Sequence, residues 1–245
     1  MNNPEKFITM NKLTTKNGCE VLQVLSRHSN AWLVQKNDLS ILVDSGKTKS
    51  RSLLLQNLNS ALNQENTLQY LMLTHTHYDH CQSASAIKDK YQCRIIVSEN
   101  AVPSIAAGYT HLPRGTNYVS GILAKAGHSL MKKKFMYAPF KADITISDDY
   151  LFPAPDADIR IITTPGHSAD SISLIVDNEV AIVGDAMFGI FRNHVFPPFA
   201  DDIPEMIRNW GKLLNTGCTT FLPGHGRAIN RNLLEKEYRI FSKTV

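Results

Sequence analysis

Short apolar runs closed by turn residues alternate with longer amphipathic segments along the first part of the chain. Segments 21–25, 31–35 and 39–43 are rich in valine, leucine and isoleucine, and the last leads into Asp44-Ser45-Gly46, which predicts three strands. Segment 49–64 carries leucine at positions 54, 55, 58 and 62, spacings that favour an amphipathic helix. A strand at 70–73, a helix at about 81–90, a strand at 94–97 and another helix follow in the same pattern.

The second part of the chain repeats this order of elements. Strands are predicted at 159–162, 171–176, 179–183 and 219–222, and helices around 204–214 and from about residue 232. Asp177-Asn178 is typical of a hairpin turn between two of these strands. Strands followed by helices, twice over, predict an α+β fold in which two sheets pack together with helices outside, a four-layer αββα sandwich. We expect one domain over residues 1–245, with an insertion of short helices and loops at about 104–150.

Composition argues against several classes of function. The formal net charge of +4 is small, so no nucleic-acid partner is expected. Residues 1–10 lack the apolar core of a secretory signal, and no run approaches the roughly 18 apolar residues of a membrane span. The four cysteines are scattered without a C-x-x-C pair, which favours reduced thiols and a cytoplasmic location.

The strongest chemical signal is the sequence His75-Thr76-His77-Tyr78-Asp79-His80, directly after the predicted strand 70–73. Residues two apart on an extended chain point the same way, so His75 and His77 can bind one metal ion. If a helix begins next, Asp79 and His80 at its start face a second ion. Imidazole and carboxylate ligands suit zinc, and also iron or manganese.

Three further strand ends each carry a side chain that binds metals. His167 follows Thr-Pro-Gly after strand 159–162, Asp185 follows Gly184 after strand 179–183, and His225 follows Pro-Gly after strand 219–222. One such residue alone is commonly a turn or cap residue, but together they supply enough ligands for two metal ions. The seven predicted ligands are His75, His77, Asp79, His80, His167, Asp185 and His225.

In these motifs and their order the chain resembles the metallo-β-lactamase superfamily over most of its length. The resemblance implies the αββα sandwich, with the metals at one edge. It assigns the first metal site to His75, His77 and His167, the second to Asp79, His80 and His225, and the bridging carboxylate to Asp185. Asp44, in Val-Asp-Ser-Gly, matches an aspartate that supports the metal-binding loop without ligating, and we expect it to contact a ligand imidazole.

We expect two divalent metal ions, with zinc as the first choice, and such a pair indicates that the protein catalyses a hydrolysis. Two cations about 3.5–4 Å apart lower the pKa of a shared water, so that a metal-bound hydroxide exists at neutral pH. We expect Asp79 to ligate and also to orient this hydroxide, which makes it the predicted catalytic residue. Asp185 in Gly-Asp-Ala-Met-Phe, and His167 in Pro-Gly-His-Ser, are similar to the motifs of glyoxalase II-type thioesterases. The expected substrate is therefore a small ester, thioester or lactone, although Phe188 stands where the known lactonases have tyrosine.

Other readings of the same ligand pattern stay open. One alternative is a persulfide dioxygenase, since enzymes of that kind with one iron retain much of this pattern. A small-nucleotide phosphodiesterase would use two metal ions in the same way as the hydrolase. A non-catalytic scaffold would bind metal ions without using them for a reaction. Arg192 and His194, shortly after Asp185, are candidate contacts for a substrate anion. The segment 104–150 is expected to roof the metal edge and to set specificity. The expected partner is a small-molecule substrate.

Overall fold

The computed structural model describes residues 11–26, 28–62, 67–116, 120, 132–154, 156–243 and 245, and these form two β-sheets with helices outside. In spatial order, the first sheet consists of β1 (Lys12–Thr14), β2 (Glu20–Ser26), β3 (Asn30–Lys36), β4 (Leu39–Val43), β5 (Tyr70–Met72), β6 (Arg94–Ser98) and β7 (Ile144–Ile146). The second consists of β8 (Tyr150–Leu151), β9 (Ile159–Thr163), β10 (Ile172–Val176), β11 (Val180–Gly184), β12 (Thr220–Pro223) and β13 (Ile229–Asn230). Pairing is parallel from β4 to β7 and between β11 and β12, and antiparallel elsewhere.

The described helices lie outside the two sheets. They are α1 (Arg51–Ala61), α2 (Tyr78–Cys81), α3 (Ala84–Tyr91), α4 (Val102–Ala107), α5 (Lys132–Phe135), α6 (Ile203–Asn215) and α7 (Arg231–Phe241), with short 3-10 turns at Thr48–Ser50 and Glu99–Ala101. The side chains of Asp202 and Asn230 cap the first turns of α6 and α7 by accepting hydrogen bonds from backbone N–H groups. None of the described helices is both long and apolar enough to cross a membrane.

Three apolar clusters separate the four layers. Neighbouring residues of β3 alternate between two of them: Leu33 packs towards α1 and α3, whereas Val34 packs between the sheets. On β11, Ile182 lies in the same inter-sheet cluster, whereas Val183 faces the third cluster with Trp210 of α6. Both faces of each central strand are therefore buried, which is why these strands read as continuous apolar runs. The predicted αββα sandwich is confirmed.

The predicted elements match the structure closely, with differences where local signals were weak. Asp177 and Asn178 turn the chain between β10 and β11 with φ of 54° and 55°, as a tight hairpin requires. The helix predicted at 81–90 is divided into α2 and α3. The short strands β1, β7, β8 and β13 were not predicted, and β7 lies inside the segment 104–150 that was expected to hold only short helices and loops. Residues 117–119 and 121–131 of that segment lie outside the described residues.

The chemistry-bearing residues all follow strands at one edge of the sandwich. Asp44 follows β4 and the histidine cluster follows β5, whereas His167, Asp185 and His225 follow β9, β11 and β12. The carboxyl ends of β4 and β5 meet because these strands are parallel, as do those of β11 and β12. The two sheets thus contribute loops to a common site.

Candidate metal site

The loop after β5 is held in shape by Asp44. This buried aspartate has a left-handed backbone (φ 64°), which turns its carboxylate towards the neighbouring loop. It accepts hydrogen bonds from the Thr74 backbone N–H at 2.8 Å and the Thr74 hydroxyl at 2.9 Å. Its Oδ2 also lies 2.9 Å from His80 Nδ1. Asp44 therefore contacts a ligand imidazole, as the sequence predicted, and is not among the groups that converge on the metal position.

A second carboxylate, from the other sheet, shapes the same loop. Asp170 is buried and accepts from the Thr76 N–H at 2.9 Å and the Thr76 hydroxyl at 2.6 Å. These bonds hold Thr76 so that His75 and His77, on either side of it, both face the site. Sequence reasoning missed Asp170. Its only signal was an acidic residue three positions after His167, in Pro-Gly-His-Ser-Ala-Asp.

All seven predicted ligands come together. Their ligand atoms form three groups, each with its atoms within 4.8 Å of one another: His75, His77 and His167; His75, His80 and Asp185; Asp79, His80 and His225. Asp185 lies between the outer two groups, since its Oδ2 is 3.7 Å from His167 Nε2 and 3.3 Å from His225 Nε2. This is the position that the resemblance assigned to a bridging carboxylate.

Each of the five imidazoles is fixed by an acceptor on the ring nitrogen that faces away from the site. The acceptors are Thr74 Oγ1 for His75 (3.1 Å), the His111 carbonyl for His77 (3.0 Å), Asp44 Oδ2 for His80 (2.9 Å), the Phe199 carbonyl for His167 (2.9 Å) and the His28 carbonyl for His225 (2.6 Å). A proton on the outer nitrogen leaves the inner nitrogen with a free lone pair. The inner atom is Nδ1 in His77 and Nε2 in the other four rings.

Two observations test whether these residues fit metal ions. His75 Nε2 and Asp185 Oδ1 are buried and have no hydrogen-bond partner among the described residues, an arrangement that a protein core avoids unless another group satisfies the atoms. Gly224 also lines the cluster, and a Cβ built there would lie 2.3 Å from Asp185 Oδ1 and 2.5 Å from His80 Cε1. Because Gly224 has no side chain, Asp185 and His80 stay uncovered on this side. The donor set of imidazoles and carboxylates fits divalent ions such as zinc.

The protonation of the metal-free cluster differs between its parts. Burial lowers the pKa of His75 well below its ordinary value, helped by the nearby His80, and burial lowers the pKa of His167 to about 4 despite the opposing effect of Asp185. For His80, burial is outweighed by Asp185 and Asp44, which raise its pKa well above the ordinary value. His75 and His167 are therefore neutral at pH 7, the form that ligates metals, whereas His80 would have to lose a proton before its Nε2 could ligate one.

Solvent reaches the cluster from one side. The side chains of His75, His77 and His167 are buried, whereas those of Asp79 and His225 are 16% and 13% exposed. His225 Nε2 and Asp79 Oδ2 lie 3.5 Å apart at this opening. A molecule that enters the site from solvent therefore meets the group containing Asp79 and His225 first.

Lys47, which sequence reasoning also missed, stands half-buried near this opening. Its ammonium lies 4.8 Å from the centre of the Tyr78 ring. Burial lowers its pKa, and Asp79 partly opposes this effect. Lys47 thus places its amino group in the neighbourhood of Asp79, and its only signal in the sequence is its place three residues after Asp44.

The segment 104–150 contributes to the site's wall. The carbonyl of His111 orients His77, and the Thr110 hydroxyl donates to Thr76 at 2.9 Å. Gly115 pairs with Phe199, whose carbonyl orients His167. Because this segment also contains β7, its deletion would disturb the sheet and the ligands as well as any substrate contact.

The two weaker candidates lie on the loop after Asp185. Arg192 is exposed, and the ring of His194 stacks on Phe191 with 4.2 Å between the ring centres. The start of this loop is tied to the site, since the Gly189 N–H donates to the His225 carbonyl at 2.8 Å. The Phe188 ring lies 4.7 Å from that of His225. Substrate contact by Arg192 or His194 stays a prediction.

Comparison with known proteins gives a consistent family assignment. A family model described as the metallo-beta-lactamase superfamily matches residues 26–225. An atrochrysone carboxyl ACP thioesterase of Aspergillus fumigatus is 25% identical over 217 residues, covering 87% of this chain and 55% of the relative. A probable metallo-hydrolase of Methanocaldococcus jannaschii is 26% identical over 210 residues, covering 83% of this chain and 90% of the relative. The chain spans about half the length of the fungal relatives that it matches.

Solved structures show the same fold. An archaeal metallo-beta-lactamase superfamily protein of Sulfolobus tokodaii superposes with a TM-score of 0.65 at 18% identity, covering 91% of this chain and 86% of the other. At this identity the likeness establishes the fold alone.

Proposed function

Since the chain belongs to the metallo-β-lactamase superfamily, we propose that it is a hydrolase that uses two divalent metal ions to cleave a small ester, thioester or lactone. The observation that carries this proposal is the convergence of five outward-anchored imidazoles and two carboxylates, with the inner nitrogens and Asp185 uncovered. In this proposal His75, His77 and His167 would hold one ion, Asp79, His80 and His225 would hold the other, and Asp185 lies where it could serve both. Zinc is the metal that this donor set suits best.

Two such ions, when bound, lower the pKa of a water molecule from about 15.7 towards 7 and polarise the substrate carbonyl. The chain's own residues supply orientation and proton transfer. Asp79 is the carboxylate at the opening, so its Oδ2 is suited to accept a hydrogen bond from the attacking water and to hold the nucleophile in line with the substrate. The acceptors behind the five rings keep the ligands rigid during this step.

The substrate class is supported by two features. The fungal relative is described as a thioesterase, and this chain keeps an aspartate at position 185, in a Gly-Asp-Ala-Met-Phe sequence similar to that of glyoxalase II-type thioesterases. The buried walls around His75 and His167 exclude bulk water from one side of the cluster, which suits a small carbonyl group approaching from the open side. We propose a small molecule as the substrate and a cytoplasmic site of action.

The test is metal analysis followed by a substrate panel. Purified protein loaded with zinc, iron or manganese is assayed against a thioester, a lactone, an ester and bis-p-nitrophenyl phosphate, with oxygen uptake measured on a persulfide. We expect two metal ions per chain and hydrolysis of an acyl substrate. One iron per chain with oxygen consumption would identify the dioxygenase alternative, turnover of the phosphate diester alone would identify the phosphodiesterase, and a metal-loaded but inactive protein would support the scaffold.

Asp79→Ala tests the assigned catalytic residue. We expect kcat to fall by about 100-fold or more, the usual contribution of a positioned proton acceptor, with a far smaller loss of stability. Asp89→Ala, on the exposed face of α3, removes the same charge away from the site and serves as the control. Unchanged turnover in Asp79→Ala would refute the assigned role.

A further inference from the structure

A second cavity, of about 780 Å³, lies beside the loop that carries His225. Among the described residues, none of the seven predicted metal ligands lines it. Its volume is within the range of roughly 300–1,000 Å³ found for small-molecule sites. The mechanism proposed above makes no use of this cavity.

The cavity and the metal site share a wall. Asn30 lines the cavity, and its side-chain amide donates to the Pro223 carbonyl at 2.8 Å and the Gly226 carbonyl at 2.9 Å, on either side of His225. Gly189 lines it too, and its N–H donates to the His225 carbonyl. A molecule bound here therefore lies against the loop that presents His225 at the opening of the metal site.

Three side-chain amides cross the cavity wall in a hydrogen-bonded row. Asn11 Nδ2 donates to Gln23 Oε1 at 2.9 Å, and Gln23 Nε2 donates to Asn30 Oδ1 at 3.0 Å. Each amide offers two donors and an oxygen with two lone pairs, so Asn11 and Gln23 keep hydrogen-bonding capacity beyond these contacts. The row runs from exposed Asn11 to buried Asn30. It is suited to an extended ligand that carries amide groups of its own.

The rest of the lining combines apolar surface with positive charge. Leu13 and Ile190 are large apolar residues exposed to solvent, and the buried indole N–H of Trp32 has no hydrogen-bond partner in the part of the chain that the structure describes. Lys12 and Arg227 also line the cavity, and no aspartate or glutamate does so among the described residues. Lys12 pairs with Glu20 outside the lining, whereas the structure gives Arg227 no ion pair within the described part of the chain.

We infer that this cavity binds the part of the substrate remote from the scissile bond, and that this part is an extended, amide-bearing chain with an anionic end. The inference rests on the proposed hydrolase function, because it assigns the cavity to that substrate. The amide row contacts the chain, Leu13 and Ile190 contact its apolar carbons, and Arg227 pairs with the anion. A substrate that carries this chain on its leaving-group side would direct the scissile bond, between the acyl carbon and the leaving group, towards the His225 side of the opening.

The test is a binding measurement that needs no turnover. Pantetheine and pantetheine 4′-phosphate are extended diamides that differ only in an anionic end, and both are titrated into the full-length protein while tryptophan fluorescence is followed. Trp32 lines the cavity and Trp210 lies in the apolar core, so the expected signal comes from Trp32 and disappears in Trp32→Phe. Calorimetry on the same proteins measures binding without this signal.

We expect the phosphate form to bind about fivefold more tightly than pantetheine, the effect of one rim ion pair. Arg227→Gln should bring the two dissociation constants to near equality. Arg239→Gln, which removes the same charge from an exposed position of α7 outside the cavity lining, should keep the preference. Circular dichroism of each variant verifies the fold.

The outcomes separate this inference from the proposed hydrolase function. If binding depends on Arg227 but the protein hydrolyses nothing in the panel, the cavity is supported as a ligand site and the hydrolase function is refuted. If the protein hydrolyses a substrate but neither method detects binding, the proposed role of the cavity is refuted. Equal affinities of the two forms in the wild-type protein, or an equal Arg227-dependent response to inorganic phosphate alone, would also overturn the inference.

Discussion

Asp44→Asn tests whether a residue that only positions a metal ligand, without being a ligand itself, affects metal binding. Asparagine tolerates the left-handed backbone at this position and has nearly the same volume as aspartate, so the change alters hydrogen bonding and charge alone. The amide oxygen can still accept from the Thr74 N–H, but the amide NH₂ replaces one acceptor. If that NH₂ faces His80 Nδ1, it donates to this nitrogen, which therefore loses its own proton, and the neutral ring carries its proton on Nε2. Nε2 is the atom that His80 directs at the site.

The expected magnitude has two parts. Loss of a contact that orients a metal ligand lowers metal affinity about 10- to 100-fold, which corresponds to about 1.4–2.8 kcal/mol. The metal-free protein also loses the buried hydrogen bond from the Thr74 hydroxyl to the charged Oδ2 of Asp44, which costs about 1.5–3 kcal/mol of unfolding free energy. The variant is thus expected to fold but to bind metal weakly.

Three measurements test the prediction. Competition with a chromophoric chelator gives metal affinity, guanidinium unfolding of the metal-free protein gives stability, and long-range ¹H–¹⁵N NMR of the metal-free protein shows whether His80 carries a proton on both ring nitrogens or on one. Asp156→Asn is the matched control, because Asp156 has a similar φ of 63° but is exposed. Wild-type metal affinity together with an unchanged protonation of the His80 ring would refute the proposed role of Asp44.

Three further predictions concern packing, stability and pH. Gly224→Ala should abolish tight metal binding while far-ultraviolet circular dichroism stays unchanged, because the added Cβ would lie 2.3 Å from Asp185 Oδ1 and 2.5 Å from His80 Cε1. Normal metal content in this variant would show that the space beside Gly224 is not required for metal binding. Asp177→Asn should lower the unfolding free energy by about 1–3 kcal/mol without changing metal affinity, because this buried carboxylate accepts hydrogen bonds that join two turns; a stability equal to wild type would exclude the role. In the metal-free protein, the pKa of His167 is about 4 in the folded state and about 6.5 unfolded, so its contribution is complete above pH 6.5 and is lost as the pH falls to 4. Comparison of unfolding free energies for wild type and His167→Asn across this range should reveal a difference in pH dependence of about 3 kcal/mol, and parallel curves would contradict it.

Sequence patterns predicted the layers and the ligands because both depend on local signals. Strands that are buried on both faces appear in the sequence as short apolar runs. The residue that follows such a run lies where the strand ends, at the edge of the sheet. His75, Asp185 and His225 each follow a run of this kind. β7 escaped prediction because Ile144–Ile146 is only three residues long and follows a region without clear periodicity. Similarly, the predicted helix 81–90 is interrupted at Ser83. The Ser83 hydroxyl donates to the carbonyl of Lys47, a partner 36 positions away in the sequence that local patterns do not reveal.

What the sequence by itself determined is the order of the elements, the αββα class and the identity of the seven ligand candidates, since each is encoded within a few residues. What only the tertiary structure decided is how those ligands are held and what surrounds them. Asp170 accepts from Thr76 across 94 positions, and the His28 carbonyl orients His225 across 197. Backbone carbonyls are present at every residue and carry no sequence signal, and a cavity exists only where distant loops meet. The physical reason is that hydrogen bonds and cavities depend on distances in space, which the chain acquires only when its two sheets pack.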